Sequence, residues 1–511
     1  MSAGKPEGSL RTDLAYDAGA SMAFPALLDI PGVERVASPV ESRIDAVYFD
    51  TANLDLTARR ITLQRLTGGT NHGWLLHIPG GTAPRQEFDA PLGQPDAVSR
   101  ELLTHVLAYT RGKDLSPIAC LATRRNTYRL YGPGGEHLAD FADDRIHAGV
   151  VHAAGPGEER REWKVLLVHG DTSLLAAAED TLGATGVGRS RRGDELARAL
   201  GAVFPPERAT GIARPRKKGR KIRAIDVVSD YLDAHINELL TKDAGVRLGQ
   251  PHAVHQMRSA TRRIRSTLST YADLYAKGTA RGLGVELKWF ARLLGRPRDG
   301  EVMRKRLRQH ISNLPKPLQA GTVSESLERE LGTAYNVDYR ELLKALESDR
   351  YYRLLEDLEQ FRDHPPTKAR ASRPARSETA KAVNRTAKLL DRAHKSVARA
   401  KAGDARDTAL HQVRKDAKRL LHAADSVAAI HGKRARRISR RAHRLQKVLG
   451  NHHDSVMVRA LLDDLATDPA LPEEAVRGYR RILKIERGIA RDAVKKYPKA
   501  RKKASGLRLP R

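Results

Sequence analysis

The feature that most constrains this chain is a long-range internal repeat. The stretch HQMRSATRRIR, starting at His255, returns as HQVRKDAKRLLH at His411, 156 positions later. LLGRPRDGEVM (293–303) returns as VLGNHHDSVMV (448–458), 155 positions later, with Leu294/Leu449, Gly295/Gly450 and Asp299/Asp454 as anchors. Self-similarity at a fixed offset marks two homologous units that bury their apolar faces together, here related by a pseudo-two-fold axis. Both copies lie where apolar residues recur at i, i+3, i+4 and i+7, so the units are helical. The pattern predicts helices over 223–242, 252–277, 281–294, 300–312, 337–361, 377–401, 405–430, 435–449, 454–466 and 473–496. The stretch DHPPTKARASRPARS (363–377) separates repeat 1 (about 222–362) from repeat 2 (about 377–500). Gly295 and Gly450 are expected to end helices. Asp299 and Asp454 are expected to cap the next ones or to orient nearby Arg and His side chains.

The first 205 residues read differently. DAVYFDT, RRITLQRL, HGWLLHIP, RNTYRLYG, HLADFADD and REWKVLLVHGD are short, partly alternating segments between Gly- and Pro-containing turns. Helical patterns interrupt them at 20–29, 96–110 and 172–183. Many short strands in one domain predict a barrel or a strongly curved sheet. The fold class is therefore α+β. A β domain (1–205) is followed by a basic linker (206–221) and an all-α domain (222–500) of two pseudo-symmetric helical units.

Charge divides the chain at the same place. Residues 1–210 hold 23 Lys+Arg against 27 Asp+Glu, and the remainder holds 69 against 34. The whole excess of +31 thus belongs to the helical half, which is suited to a polyanion. The single cysteine, Cys120, excludes an intrachain disulfide and a thiolate metal site, fits a reducing cytoplasm, and reads as a small buried residue. No apolar run approaches the roughly 18 residues of a membrane span. The N-terminus lacks the order of a signal peptide.

On a helical wheel with His255 at the origin, Arg258, Arg262 and Arg265 fall near 300°, 340° and 280°, within an arc of about 80°, while Arg263 points elsewhere. His411, Arg414, Lys415, Lys418 and His422 make the matching face in repeat 2. Neighbouring segments add Lys288, Arg292 and Arg296 in one unit, and His443 and Lys447 in the other. Such faces repel themselves unless an anion lies on them, and Arg offers bidentate contacts to phosphate. Aromatic residues are only 5% of the chain, too few for the stacking platforms of single-strand nucleic-acid readers. That favours an anion made of phosphates without bases and makes nucleic acid the weaker partner.

These residues resemble the CHAD domain, the conserved-histidine α-helical family, over about 222–500. The resemblance implies two four-helix bundles whose basic surfaces line a groove that binds inorganic polyphosphate, with polyphosphate granules a candidate location. It carries over to His255, Arg258, Arg262, His411, Arg414 and Lys418. The first half resembles a CYTH domain, or triphosphate tunnel metalloenzyme, through YFDTANLDLTARRITLQRLTGG, GWLLHIPGG and GVGRSRRGDELARALG. That family implies an eight-stranded tunnel whose carboxylates hold divalent metal for phosphate-releasing chemistry. This copy departs from the pattern. Arg11, Asp13 and Ala15 stand where the family has Glu-x-Glu-x-Lys. Gln64 and Leu66 replace its Arg-x-Arg, and His77 replaces a Lys. Glu162, Lys164 and Leu166 replace Glu-x-Glu-x-Glu, and Glu195 replaces another Lys. Period two places the strand positions on one face. Asp13, Asp143, Asp144 and Glu162 are the acids that remain. The expectation is a catalytically degenerate tunnel without a cofactor, since Mg²⁺ or Mn²⁺ would enter only an active one. An active metal-dependent phosphatase and a nonspecific nucleic-acid binder are the rival readings.

Overall fold

The computed structural model describes residues 13–69, 72–80, 86–93, 97–151, 157–169, 171–190, 195–201, 222–314, 322–467 and 472–510. The linker expected at 206–221 and Arg11 lie outside the described residues. The chain divides into two compact units, 1–210 and 211–511.

The first unit is an antiparallel sheet of β1 (Asp13–Ala18), β2 (Arg35–Val36), β3 (Val40–Asp50), β4 (Thr62–Thr67), β5 (Gly73–Ile78), β6 (Gln86–Ala90), β7 (Ser116–Tyr131), β8 (His137–Val150), β9 (Glu158–Leu167) and β10 (Gly188–Arg189). The order is β10-β1-β9-β8-β7-β3-β4-β5-β6, with β2 on β7. Ten strands stand where the resemblance implied eight, and two of the ten are only two residues long. Leu14 and Tyr16 of β1, Phe141 of β8, and Trp163 and Val165 of β9 point to one face. There they pack under Leu174, Leu175, Ala178 and Leu182 of helix α2 (Thr172–Gly183), whose N-cap is Asp171. α1 (Arg100–Thr110) matches the helix expected at 96–110, and α3 (Glu195–Leu200) sets Leu196 and Leu200 against Tyr48, Leu121 and Ile146 of the sheet. The one expected at 20–29 is reduced to a 3-10 turn at Leu27–Asp29. After β3 the buried Asp50 carboxylate accepts hydrogen bonds from the amides of Thr51, Leu56 and Thr57, and so shapes the DTANLDLT loop. Cys120 is exposed rather than buried, because its cross-strand neighbour Gly149 has no side chain to cover it.

The described residues of the second unit are predominantly helical. Repeat 1 comprises α4 (Ala224–Arg247), α5 (Ala253–Thr270), α6 (Thr279–Leu293), α7 (Gly295–Ile311), α8 (Thr322–Leu346) and α9 (Asp349–Asp363). Repeat 2 comprises α10 (Ala375–Arg399), α11 (Asp404–Asp425), α12 (Ala428–Leu465) and α13 (Glu473–Ala504). Each repeat makes four rods, but two rods of repeat 1 are broken. The ladder of α6 and α7 is interrupted at Leu294, whose backbone stays helical (φ −63°, ψ −23°), just before Pro297, which cannot donate the backbone bond a continuous helix needs there. His452 holds the equivalent place in repeat 2, and α12 runs through Gly450 without interruption. The break between α8 and α9 falls inside the segment expected as one helix over 337–361. Ser348 is extended there, and its hydroxyl accepts from the Tyr351 amide at 3.3 Å. The one internal irregularity of α12 is Gly432 (φ 52°, ψ −131°), a backbone position open to glycine.

Three features tie the repeats into a pseudo-two-fold pair. The starts of α4 and α10 bond each other, from the Ala224 amide to the Arg373 carbonyl and from the Ala375 amide to the Ile222 carbonyl, both at 2.9 Å. α5 packs on α11, and the buried Tyr271 hydroxyl meets the Ser426 hydroxyl at 3.0 Å. Leu307, Ile311, Leu327 and Leu331 of repeat 1 share one apolar core with Val458, Leu462, Tyr479 and Ile482 of repeat 2.

Candidate functional site

Because α5 and α11 pack together, their basic faces meet instead of pointing apart. Burial, with Arg258, Arg265 and Arg414 nearby, lowers the Arg262 guanidinium to about 10. Burial, with Arg262, Arg258, Arg414 and Arg265 around it, pushes the Lys418 ammonium down to about 6. Desolvation also lowers His255, with Arg298, Arg258 and Lys418 adding to it. It lowers His411, with Lys415, Arg414 and Arg262 adding. His422 is 6% exposed and is pushed down to about 3 by burial and then by Lys418, Arg263 and Arg262. Cations from both repeats therefore occupy one partly buried patch, where each destabilises its neighbours' charge.

Acidic compensation is thin. Arg258 Nη2 lies 3.2 Å from Asp299, whose side chain is 63% exposed, and Asp454 sits near Arg414. Both aspartates lie inside helices, α7 and α12, so neither is an N-cap, and Gly450 ends no helix. The expectation that they orient arginines holds for Asp299. Several buried polar atoms have no protein partner: the donors Nε of Arg258 and Arg414, Nδ1 of His411, and both ring nitrogens of His422, one of which carries the N–H of the neutral ring. Unsatisfied buried donors are costly, at about 1–3 kcal/mol each, and here they converge on a cationic patch. An anion would satisfy them.

Not all expected residues join this patch. Lys415 is exposed but close enough to depress His411. Arg296 turns to Glu341, at 2.5 Å. Lys288, Arg292, His443 and Lys447 are exposed on α6 and α12. Two residues were missed. His453 packs its ring on His411, centroids 4.4 Å apart, and burial with Arg414 pushes it down to about 4. Arg298 reaches His255 electrostatically while pairing with Glu301 at 2.7 Å. The doubled His before Asp454 was the available signal for the first, and nothing in spacing marked the second.

The CHAD-domain signature matches residues 230–463, which holds both basic faces. A protein of Mycobacterium tuberculosis strain H37Rv is 36% identical over 478 residues, 90% of this chain and 89% of that one. The chain belongs to the CHAD-domain family. Among solved structures, the CHAD domain of the plant Ricinus communis is 21% identical and covers 58% of this chain and 97% of its own, with a TM-score of 0.46. A putative adenylyl cyclase from Hippeastrum, described as having a dominant triphosphatase activity, is 14% identical and covers 36% of this chain and 92% of its own, with a TM-score of 0.24. No helix among the described residues is long and apolar enough to cross a membrane.

Strand register tests the metal site that the tunnel resemblance implied for this CHAD-domain protein. Glu162 pairs with Asp144 and Asp17, Lys164 with Ala142 and Ala15, and Leu166 with Asp140 and Asp13. Across β7 and β3, Asp144 continues to Arg125 and Ser42. Gln64 pairs with Leu75 and Thr62 with His77. Asp13, Ala15, Gln64, Leu66, His77, Glu162, Lys164 and Leu166 thus do share one face, as period two required, while Asp143 points to the other and binds Arg161 at 2.7 Å. The two buried acids of the shared face are already engaged. Arg125 donates twice to Asp144 at 2.7 Å, and Lys164 reaches Glu162 at 2.9 Å and Asp144 at 3.3 Å. Among the described residues no group of three His, Cys, Asp or Glu could hold a metal ion. The donor set does not fit Mg²⁺ or Mn²⁺, which want several oxygen ligands.

Proposed function

We propose that this protein binds inorganic polyphosphate, clasping the chain between the cationic faces of α5 and α11. The observation that carries the reading is the convergence of Arg258, Arg262, Arg265, Arg414 and Lys418 in one half-buried patch with unsatisfied donors and little acid. A folded protein keeps such repulsion when an anion relieves it. His255, His411, His422 and His453 line the same patch and would donate to phosphate oxygens, which favour their charged forms. We further propose that the β domain is catalytically degenerate. In support, the two buried carboxylates of the shared face, Asp144 and Glu162, are held by Arg125 and Lys164, and Ala15, Leu66 and Leu166 have no ligand atoms to offer.

Calorimetry with long-chain polyphosphate tests the clasp. Binding should be salt-sensitive, and replacing His255, Arg258, His411 and Arg414 together by Ala should weaken it far more than replacing Arg214, Arg216, Lys217 and Lys218 of the linker. Equal losses would defeat the assignment. A phosphate-release assay on tripolyphosphate with Mg²⁺ and Mn²⁺ should give no turnover; metal-dependent release abolished by Glu162→Gln would establish the active-enzyme reading. Competition by duplex DNA at equal phosphate concentration should fail to displace polyphosphate.

A further inference from the structure

The clasp leaves the most basic segment of the chain unused. Residues 433–447, KRARRISRRAHRLQK, contain eight Lys or Arg, and no Asp or Glu occurs from 426 to 453. This is the middle of α12. Ala435, Ile438, Ala442 and Leu445 face the bundle and are buried, 0–2% exposed. Lys433, Arg434, Arg436, Arg437, Arg440, Arg444 and Lys447 are exposed. Among the described residues none of these seven is recorded in an ion pair, in contrast to Arg296, Arg308 and Arg350 of repeat 1. The ridge is about 21 Å long at 1.5 Å per residue. Its counterpart in repeat 1, residues 278–292, holds Arg281, Lys288 and Arg292, together with Glu286, which Arg350 neutralises at 2.7 Å. The charge is therefore special to repeat 2 and is not a by-product of the shared architecture.

The ridge is also continuous with the clasp. α12 packs along α11. At one end Lys433, Arg436 and Arg440 line a cavity with Asp425, the last residue of the helix that carries His411 through His422. At the other end Lys447 lies six residues, or about 9 Å along the helix, before His453, which stacks on His411. We infer that Lys433–Lys447 is a second track for the same phosphate chain, so that polyphosphate too long for the clasp runs onto the ridge and is held more tightly. Aromatic side chains are absent from the ridge, so it offers charge alone. This suits an unbranched inorganic polyanion more than stacked bases. The inference rests on the polyphosphate reading of the clasp.

Two variants of the full chain separate the two ideas. One replaces Lys433, Arg436, Arg437, Arg440 and Arg444 by Gln, a good helix former at exposed positions. The other is Arg262→Ala with Lys418→Ala. Affinity is measured for tripolyphosphate and for long-chain polyphosphate across a salt series, with circular dichroism as a check on folding. The ridge variant should bind tripolyphosphate as the native chain does, yet bind long chains about 10- to 100-fold more weakly. Its log K versus log salt slope should be shallower by about 0.7 per cation in contact. Unchanged affinity for long chains overturns the ridge. Loss of duplex DNA binding with polyphosphate unaffected overturns it in favour of a nucleic-acid surface. If the clasp variant alone leaves both ligands unaffected, the clasp fails while the ridge is judged by its own data.

Discussion

Polyphosphate binding should take up protons, and Lys418 is where most of them go. In the free protein its ammonium titrates at about 6 instead of the ordinary 10.5, because it is half-buried among Arg258, Arg262 and Arg265 of α5 and Arg414 of its own helix. Near pH 8 it is therefore almost wholly neutral. Phosphate oxygens in the clasp screen those guanidiniums and restore the charged form. Binding near pH 8 should then absorb up to about one proton, and affinity should fall by as much as tenfold (about 1.4 kcal/mol) per pH unit above 6. His255, His411 and His453 are also held below their ordinary value, so their uptake adds only on the acid side. Calorimetry in buffers of different ionisation enthalpy reads the proton count directly. Lys418→Met should abolish most of the uptake and flatten the pH dependence. The same variant should be more stable without ligand. Between 6 and 10.5 the unfolded chain binds the extra proton, so native stability rises with pH across that window and Met removes a penalty on the order of 2–4 kcal/mol near pH 7. No proton uptake near pH 8, or an identical pH profile for Lys418→Met, would refute the reasoning.

Glu486 is fully buried, accepts twice from Arg306 at 2.6 Å and lies 2.7 Å from His310, and its carboxyl is held at about 2. Glu486→Ala should cost about 3–5 kcal/mol in thermal unfolding by stranding Arg306, and the native contribution should fade only as pH drops from about 4.5 towards 2. Asp299→Ala frees Arg258 and should tighten polyphosphate binding severalfold in calorimetry. Asp144→Asn breaks the bidentate Arg125 contact and should lower stability by about 2–4 kcal/mol, without changing polyphosphate affinity.

The paired faces were legible because one offset preserved both charge and helical phase: His255 and His411 head equivalent arcs on two helices that pack together. The ligand face of the sheet was legible for a similar reason, since period two has no freedom once strands are placed. Chain breaks were harder to read. Gly450 looks like a stop signal, but it is buried within a rod whose packing overrides its propensity, whereas Pro297 removes a donor at the equivalent place. Asp299 and Asp454 follow glycines as caps do, yet the helices had already begun. Asp144 and Glu162 read in the sequence as residual metal ligands; only register revealed that Arg125 and Lys164 stand opposite and beside them. The 322–336 portion of α8 was missed because its apolar residues are sparse, Leu327 and Leu331 being the ones that reach the shared core.

The Tyr271–Ser426 contact joins positions 155 apart that sit at matching places in the two repeats. In a pair of identical subunits, every change at such a place would be made twice, and each added charge would be mirrored. Fusion into one polypeptide lifts that rule. One half can load a helix with eight cations while its twin retains Glu286, so a nearly symmetric scaffold presents two chemically different sides.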